Sequence, residues 1–492
     1  MTAPTDQRAL ARDAAPSALA AGGNRRAALI LLVAVQFMLV LDSTIVAVAM
    51  PSLGTDLGFS QASLSWVTNA YVLLFGGFLM LGGRLADLTG RRKLFILSLV
   101  LFAVASAVGG LASSPAMVII VRAVQGLASA LAAPAALSLL MTVFPDDTAQ
   151  GKTERNKALG VYGAVSGAGG AAGMILGGVL TDWFGWQAVF YVNVPIALIA
   201  AALAVKFLPA GESTVEEKRF DLGGALFVTA GLGLLVFSLV DADKAGWGSA
   251  RTLGGIAGAL VLLALFLVVE SKHSQPLIPL GIFRRKVLPG ANLVGGLIPM
   301  AMIPAIFFLT LYTQIVQGYS PLRSGLALVP LALAVVLAAT NVGRVLPLLG
   351  LKGTTMLGTL LVAGGTFWAS GINGGGFWLE QFGPEILAGL GGGTVWVSAT
   401  VAATSSASEE EAGLASGLFN TSNQIGAALG LAVLATVAAA GTTSSTKSGH
   451  AVNTALTAGY SNALVGAAII AVVATLAAAF MLPGKSAMRS GS

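Results

Sequence analysis

The stretch AALILLVAVQFMLVLDSTIVAVAMP, residues 27–51, decides how this chain folds, because it is long and apolar enough to cross a bilayer as one helix. A hydrocarbon core about 30 Å thick needs roughly 20 residues of helix. The stretch nevertheless contains Asp42, and a second apolar stretch, residues 116–141, contains Arg122. A charge at bilayer depth costs roughly 2.5–3.5 kcal/mol on insertion scales. Such residues usually face a cavity or each other, so these two indicate an ion pathway inside a helical membrane protein.

The composition places most of the chain in the membrane. Of its 492 residues, 56% are hydrophobic and only 10% are charged, whereas a soluble domain carries about 25% charged residues. The chain has no cysteine, its two histidines fall in loops, and no phosphate-binding glycine loop occurs. The sequence therefore predicts no enzyme, metal site, cofactor or nucleic-acid partner. A membrane-embedded enzyme or receptor would need a cluster of catalytic acids, histidines or cysteines near one membrane face, and the sequence shows none.

Fourteen apolar segments, each about 18–28 residues long, follow one another along the chain. Helices are the reasonable element for runs of this length, since a helix satisfies its own backbone groups in lipid. We therefore predict an all-α polytopic membrane protein. The predicted spans 1 to 14 are residues 27–50, 62–83, 94–112, 116–142, 158–180, 188–208, 222–240, 252–270, 287–312, 323–348, 353–371, 383–403, 413–440 and 459–482.

The distribution of lysine and arginine predicts the orientation. An even number of spans puts both ends on one side of the membrane. If that side is the inside, the inner tails and loops hold 22 of the 27 Lys and Arg residues, the outer loops hold four, and Arg122 is the remaining one. Cytoplasmic loops carry such an excess. The tails, residues 1–26 and 483–492, are thus predicted to be cytoplasmic, and residues 1–26 lack the apolar run of a cleavable signal.

The chain also repeats itself at an offset of 260 residues. Gly58-Phe59-Ser60 recurs as Gly318-Tyr319-Ser320. Gly83-Arg84-Leu85, followed by Gly90, recurs as Gly343-Arg344-Val345, followed by Gly350. Two matches at one offset, each at a loop in the same topological place, indicate two related halves.

The repeat predicts the domain organisation. Residues 27–208 form one six-helix bundle and residues 287–482 form the other, while residues 209–286 form a linker with two additional spans. Internal repeats of helical bundles are typical of secondary transporters, whose substrate site lies near the bilayer midplane between the repeats.

Five stretches point to a known family. GGRLADLTGRRKLF, residues 82–95, resembles the loop between spans 2 and 3 of the major facilitator superfamily. LDSTIVAVAMP, residues 41–51, and RAVQGLASA, residues 122–130, resemble the span 1 and span 4 motifs of its fourteen-span drug:proton antiporters. WQAVFYVNVPI, residues 186–196, and GLASGLFNTSNQIGAALGLAV, residues 413–433, are also typical of that branch. The resemblance implies a major facilitator fold of two six-helix bundles plus two inserted helices.

The resemblance also implies a conformational latch in the loop after span 2. In that family Asp87 and Arg91 would hold the two halves closed on the cytoplasmic side, and Gly83 and Gly90 would allow the tight turn. A plainer interpretation is that the basic residues of this loop only set the topology.

A row of glycines predicts close helix packing in span 5. Gly169, Gly173 and Gly177 recur every four residues, and Gly178 follows, so small residues share a helix face. Close contact there would also let the two halves rock against each other. The chain departs from the family pattern at Met174, where the antiporter motif has proline.

Counting along the helices places Asp42 and Arg122 at similar depth, toward the outer side of their spans. We predict that they meet, that Asp42 carries the transported proton, and that Arg122 sets how readily Asp42 ionises. The alternative is a static ion pair that holds spans 1 and 4 together. The polar residues that either line a substrate cavity or only bond neighbouring helices are Asn69, Gln125, Asn420, Asn423 and Gln424.

Together these features predict proton-driven efflux of hydrophobic or cationic small molecules, such as drugs or antibiotics, across the bacterial plasma membrane. The expected partners are protons, a small-molecule substrate and the lipid bilayer, and the expected active form is a monomer. An uptake symporter, a facilitator or a lipid exporter of the same fold is the alternative function.

Overall fold

The computed structural model describes residues 22–145, 148–210, 222–272, 287–374, 376–405 and 412–484, and these residues form helices joined by short turns, without strands. A few side chains within the helices, Asp87 among them, are not described. Most of the two predicted tails, and the stretches on either side of the two additional spans, lie outside the described residues. The proposed domain boundaries at residues 208 and 287 therefore stay predictions.

Helices of membrane-spanning length account for almost all of the described chain. The helices are span 1 Gly22–Leu57, span 2 Trp66–Thr89, span 3 Arg91–Gly110, span 4 Pro115–Val143, span 5 Ala149–Phe184, span 6 Asn193–Phe207, span 7 Leu222–Ala245, span 8 Ala250–Lys272, span 9 Val287–Leu311, spans 10 and 11 within Val329–Ala369, span 12 Gly383–Ser405, span 13 Ala412–Lys447 and span 14 Val452–Met481. Short helices, Gln61–Leu64, Ala188–Tyr191 and Pro321–Ala327, precede spans 2, 6 and 10.

Spans 10 and 11 are separate helices although they follow each other without a loop. Within the described residues, thirteen continuous helical stretches are long and apolar enough to cross a membrane, and one of them, Pro321–Ala369, is 49 residues long. That length is about twice what one crossing needs. The stretch breaks at Gly350, whose φ of 71° and ψ of 175° are not helical. The break divides it into two spans and brings the number of spans to the predicted fourteen.

The backbone repeats at the offset that the sequence shows. Gly58 and Gly318 have φ values of 70° and 68°, and Gly90 and Gly350 have φ values of 94° and 71°. A positive φ favours glycine, which lacks a Cβ. Ser60 and, 260 residues later, Ser320 each cap a helix by accepting a hydrogen bond from the amide three residues on. The two halves thus use the same turns and caps at equivalent places.

The two additional spans pack across the junction between the halves. Span 7 meets span 2 where a Cβ on Gly77 would overlap Thr229. Span 7 also meets span 13, where the Thr436 hydroxyl donates to the Leu239 carbonyl at 3.0 Å. The hairpin of spans 7 and 8 is joined by an ion pair of 2.8 Å between Arg251 and Asp241. This hairpin therefore contacts one helix from each half.

The halves touch at one face of the bundle and separate toward the other. We call the face where span 1 begins and span 14 ends the terminal face, and the opposite one the distal face. Toward the distal face, span 5 packs on the short helix Pro321–Ala327, which leads into span 10: a Cβ on Gly178 would lie 2.7 Å from Leu322 Cα, and one on Gly325 would overlap the Met174 carbonyl. These glycines let the two backbones meet directly.

Toward the terminal face the same helix surfaces lose their contact. Gly170, Gly163 and Gly160 continue the Met174 face of span 5, and a Cβ on any of them would meet no atom within 4 Å. On span 10, Val336 and Gly343 follow the contacting segment and are exposed. The structure is therefore closed at the distal face and open at the terminal face.

Candidate functional site

Asp42 and Arg122 form an ion pair in the interior of spans 1–6. Asp42 Oδ2 lies 2.7 Å from Arg122 Nη1, and the two side chains are 0% and 2% exposed. Spans 1 and 4 run in opposite directions, and the two residues face each other at the common depth that the sequence predicts. A buried charge is strongly unfavourable unless it is paired and hydrogen-bonded. The ion pair therefore explains how both charges are held in an apolar bundle.

Two amides complete the environment of the carboxylate. Asn193 Nδ2 of span 6 donates to Asp42 Oδ1 at 2.7 Å, and Gln125 Nε2 of span 4 lies 3.4 Å from the same oxygen. Gln125 Nε2 also donates to Ser106 Oγ of span 3 at 2.9 Å. The carboxylate thus accepts hydrogen bonds on both oxygens, and four helices contribute to one buried polar network.

Arg122 has further partners that do not depend on Asp42. Its Nε donates to the Val67 carbonyl at 3.1 Å, and its Nη1 donates to Gln125 Oε1 at 3.0 Å. The guanidinium carbon lies 4.3 Å from the centre of the Tyr71 ring, a cation–π contact with span 2. Arg122 can therefore stay partly satisfied when the charge of Asp42 changes.

Asn193, like Ser106, is a member of this network that sequence reasoning does not assign. It lies within WQAVFYVNVPI, residues 186–196, whose similarity to the antiporter branch is visible in the sequence. A polar amide in an otherwise apolar span was the available signal. The sequence did not show that this amide points toward Asp42.

The predicted latch residues lie where spans 2 and 3 meet. Gly90 ends span 2 and begins span 3 with a φ of 94°, which the expected tight turn requires. A Cβ on Gly83 would meet Pro134 at an ordinary 3.7 Å, so close packing does not require this glycine. Arg91 Nη1 donates to Thr142 Oγ1 of span 4 at 2.8 Å. The side chain of Asp87 lies outside the described residues, so the latch stays a prediction.

The span 5 glycines pack in two directions. A Cβ on Gly169, Gly173 or Gly177 would press on span 1, where it would meet the backbone or side chains of residues 37–48. Gly178 instead faces span 10, and the side chain of Met174 packs beside it in an apolar cluster with Leu328 and Ala332. Of the four glycines, Gly178 is therefore the one placed at the contact between the halves.

The candidate cavity amides have different surroundings. Gln125 is fully buried in the Asp42 network. Asn423 donates to the Phe419 carbonyl of its own helix at 2.8 Å, and Gln424 packs on Gly76 of span 2. Asn69 is fully buried and neither of its amide atoms has a hydrogen-bond partner. Asn420 is partly exposed. A substrate role for these residues stays a prediction, and Gln125 has no surface available in this conformation.

A helical bundle that crosses the membrane many times, opens at one face and holds a buried ion pair has the architecture of a membrane transporter. The chain belongs to the Major Facilitator Superfamily, whose family profile matches residues 32–431. No group of three or more acidic or histidine side chains suited to a metal ion occurs among the residues that the structure describes.

Its similar proteins include named resistance and export proteins. The chain is 38% identical to the puromycin resistance protein pur8 of Streptomyces alboniger, over 82% of this chain and 80% of that protein. It is 39% identical to the cephamycin export protein CmcT of Amycolatopsis lactamdurans, over 83% of this chain and 84% of that protein.

Among solved structures, the fold is similar to that of a bacterial homologue of the human lysosomal transporter Spinster in an inward-facing, occupied conformation. The TM-score is 0.68 at 15% identity, and the match covers 94% of this chain and 97% of that one. At this identity the likeness shows the fold alone.

Proposed function

We propose that the protein exports hydrophobic or cationic small molecules of the antibiotic class from the bacterial cytoplasm, driven by proton influx. Relatives named for puromycin resistance and cephamycin export support the direction and the substrate class. The single observation that carries the proton coupling is the fully buried Asp42–Arg122 pair, because an ionisable residue at this depth indicates an ion pathway.

The distribution of lysine and arginine predicts how the protein is oriented in the membrane. Since lysine and arginine concentrate on the loops of the terminal face, that face is the cytoplasmic one. The opening at the terminal face then admits substrate from the cytoplasm, or from the inner leaflet, to a cavity between the halves. Release outside requires the opposite state, in which the terminal face closes and the contact of spans 5 and 10 at the distal face opens.

The ion pair links the proton to this change. Protonation of Asp42 removes the charge that attracts Arg122, while Arg122 keeps its bonds to the Val67 carbonyl and to Gln125. Asp42 then loses its attraction to span 4, whereas Arg122 stays held by span 2. The positions of spans 1 and 4 can thus depend on whether a proton is bound. A cationic substrate in the cavity would favour the charged form of Asp42.

Transport in inside-out membrane vesicles tests the coupling. Respiration acidifies the vesicle interior, and puromycin or ethidium is then added as the probe while a pH-sensitive dye reports the gradient. We expect the native protein to dissipate the gradient and Asp42→Asn, which has nearly the same size but cannot ionise, to leave it intact. Asp241→Asn is the matched control, because Asp241 also pairs with an arginine but lies in the hairpin of spans 7 and 8.

Each outcome has a definite meaning. If Asp42→Asn vesicles still dissipate the gradient when the probe is added, Asp42 is not the coupling residue. If the native protein moves the probe outward without using the gradient, the protein is a facilitator. If probe accumulation in intact cells rises with the gradient, the protein is an uptake symporter.

A further inference from the structure

Span 12 contains a buried carboxyl group that the Asp42 mechanism does not use. Glu385 lies in the first turn of the helix Gly383–Ser405 and is 1% exposed. Neither of its carboxyl oxygens has a hydrogen-bond partner. The backbone of Leu331 in span 10 lies beside it. Glu385 therefore differs from Asp42, whose oxygens are bonded to an arginine and two amides.

Glu385 lines a small cavity between spans 9, 10, 11 and 12. The cavity measures about 10 Å³, which suffices for one water molecule at most. Thr366 of span 11 is the other polar side chain in its wall, and no second titratable side chain of the described residues lines it. Glu380, one turn earlier on the chain, is satisfied elsewhere, because it accepts hydrogen bonds from the Tyr312 hydroxyl and the Asn373 amide.

The internal repeat relates this cavity to the Asp42 network. At the offset of 260 residues, Ser106 corresponds to Thr366. Span 12 is displaced by three further residues, because Gly126 packs on the Tyr71 carbonyl and Gly389 packs on the Leu331 carbonyl, 260 residues later. Glu385 therefore corresponds to Arg122. Asp42 itself corresponds to Met302, which also lines the cavity. Three side chains that form one polar network in the first half thus have counterparts that surround one cavity in the second half.

The second half has an acidic residue where the first half has its arginine. Its carboxyl group lies on span 12, the counterpart of span 4, and the position of Asp42 holds a methionine. Glu385 itself occupies the place of Arg122, so no cation lies there in the second half. Leu331, which also lines the cavity, is the counterpart of Tyr71, so an apolar side chain replaces the tyrosine ring and its hydroxyl.

These surroundings restrict what Glu385 can bind. A buried carboxylate without a counter-charge or hydrogen bonds is unfavourable by several kcal/mol, and a bound proton removes the charge. A cavity of this size has no room for an organic cation. A proton, accompanied by at most one water molecule, is the ligand that fits both the charge and the space.

We propose that Glu385 is a second proton-binding site, the counterpart in the C-terminal half of the Asp42 network. The proposal deepens the proposed function and rests on it for the direction of proton flow. Glu385 lies one turn from the distal end of span 12, behind the contact of spans 5 and 10. Opening of the distal face brings water to this cavity, so Glu385 exchanges its proton with the outside in that state.

Infrared spectroscopy tests the site without requiring transport. The purified protein in lipid is titrated, and the carbonyl band of protonated carboxyl groups is followed in pH-difference spectra. We expect one component of this band to be lost in Glu385→Gln and a different component to be lost in Asp42→Asn. Glu380→Gln is the matched control and should keep both components. If the Glu385→Gln spectra equal those of the native protein, Glu385 does not exchange a proton and the proposal is wrong.

A second measurement counts protons. In proteoliposomes, the pH gradient that just balances a puromycin gradient gives the number of protons per substrate. We expect Glu385→Gln to lower this number by roughly one, since one carboxyl group binds one proton. The double variant Glu385→Gln/Met302→Glu moves the acid to the opposite wall of the cavity and should restore the native number. An unchanged number in Glu385→Gln would overturn the proposal.

The two experiments distinguish a failure of the Glu385 proposal from a failure of the proposed transport function. If the native protein shows no proton-driven puromycin transport, the proposed function fails for this probe, while the infrared result still decides whether Glu385 exchanges a proton. If Glu385→Gln unfolds, Glu385→Asp keeps the acid in the same cavity, and persistence of its carboxyl component supports the site. Absence of that component from folded Glu385→Asp would count against it.

Discussion

Gly178→Ala is expected to shift the protein away from the state that is open at the terminal face. An alanine Cβ at this position would lie 2.7 Å from Leu322 Cα and 2.8 Å from the Pro321 carbonyl oxygen, whereas ordinary contacts begin near 3.4 Å. Both neighbours are backbone atoms and cannot move by changing rotamer. Spans 5 and 10 must therefore separate by about 0.7 Å at this crossing, which is the difference between those distances.

The size of the effect follows from the cost of this overlap. Overpacking a close contact costs about 1–3 kcal/mol. The contact exists in the distally closed state and is lost when the distal face opens, so this cost applies to the first state only. The equilibrium should then shift by about 5–150-fold toward the state that is closed at the terminal face.

Distances between spin labels measure that shift directly. The native chain has no cysteine, so labels can be attached at Lys157→Cys and Leu348→Cys, two exposed positions near the terminal ends of spans 5 and 10. We expect a long distance to dominate in the otherwise native protein and a shorter one to gain population in Gly178→Ala. Gly325→Ala should act in the same direction, because its Cβ would overlap the Met174 carbonyl.

The matched control is Gly163→Ala in the same helix. A Cβ at Gly163 meets no atom within 4 Å, so this change adds the same methyl group and the same gain in helix propensity without the overlap. Its distance distribution should equal that of the native protein. If Gly178→Ala and Gly163→Ala give the same distribution, the glycine contact does not control the opening of the terminal face.

Three further predictions concern topology, the latch and the buried network. A cysteine that replaces His450 should react with a membrane-impermeant reagent added outside intact cells, and a cysteine within residues 209–221 should not; the reverse pattern would contradict the proposed orientation. Asp87→Asn should reach the membrane at a near-native level but transport more slowly, and native transport with unchanged label distances would count against a latch. Asn193→Leu removes a hydrogen bond of 2.7 Å to Asp42 and should cost about 1–3 kcal/mol; thermal unfolding in detergent checks this, and a native midpoint would refute it.

The number and order of the spans could be predicted from the sequence because hydropathy alone requires helices of this length. The boundary between spans 10 and 11 was the hardest case, since no loop separates them. The apolar segments 323–348 and 353–371 predicted this boundary, and the repeat agrees with it, because Gly350 matches Gly90. Within the described residues, thirteen continuous stretches and one break at Gly350 match the predicted number.

Helix rotation and side-chain partners could not be predicted in the same way. The spacing of Gly169, Gly173 and Gly177 shows that they share a face, but not that this face packs on span 1. Gln125 could have lined a cavity, yet it points to Asp42 and Ser106 instead. The direction of a helix face depends on its neighbours, and the order of spans along the chain does not determine that packing.

Glu385 shows a different limit of sequence reasoning. It is the third residue of the predicted span 383–403, and a charge this near a span end is ordinarily interpreted as an interfacial residue that reaches water. The structure buries it because the chain before it, including the turn Trp378–Phe382, continues span 12 toward the distal face. Once Arg122, Gln125 and Ser106 are known to form one network, the repeat places Glu385, at the position of Arg122, near Thr366, at the position of Ser106. In a duplicated bundle, the polar residues of one half thus predict where the other half can hold a second functional group, even when its chemistry has changed.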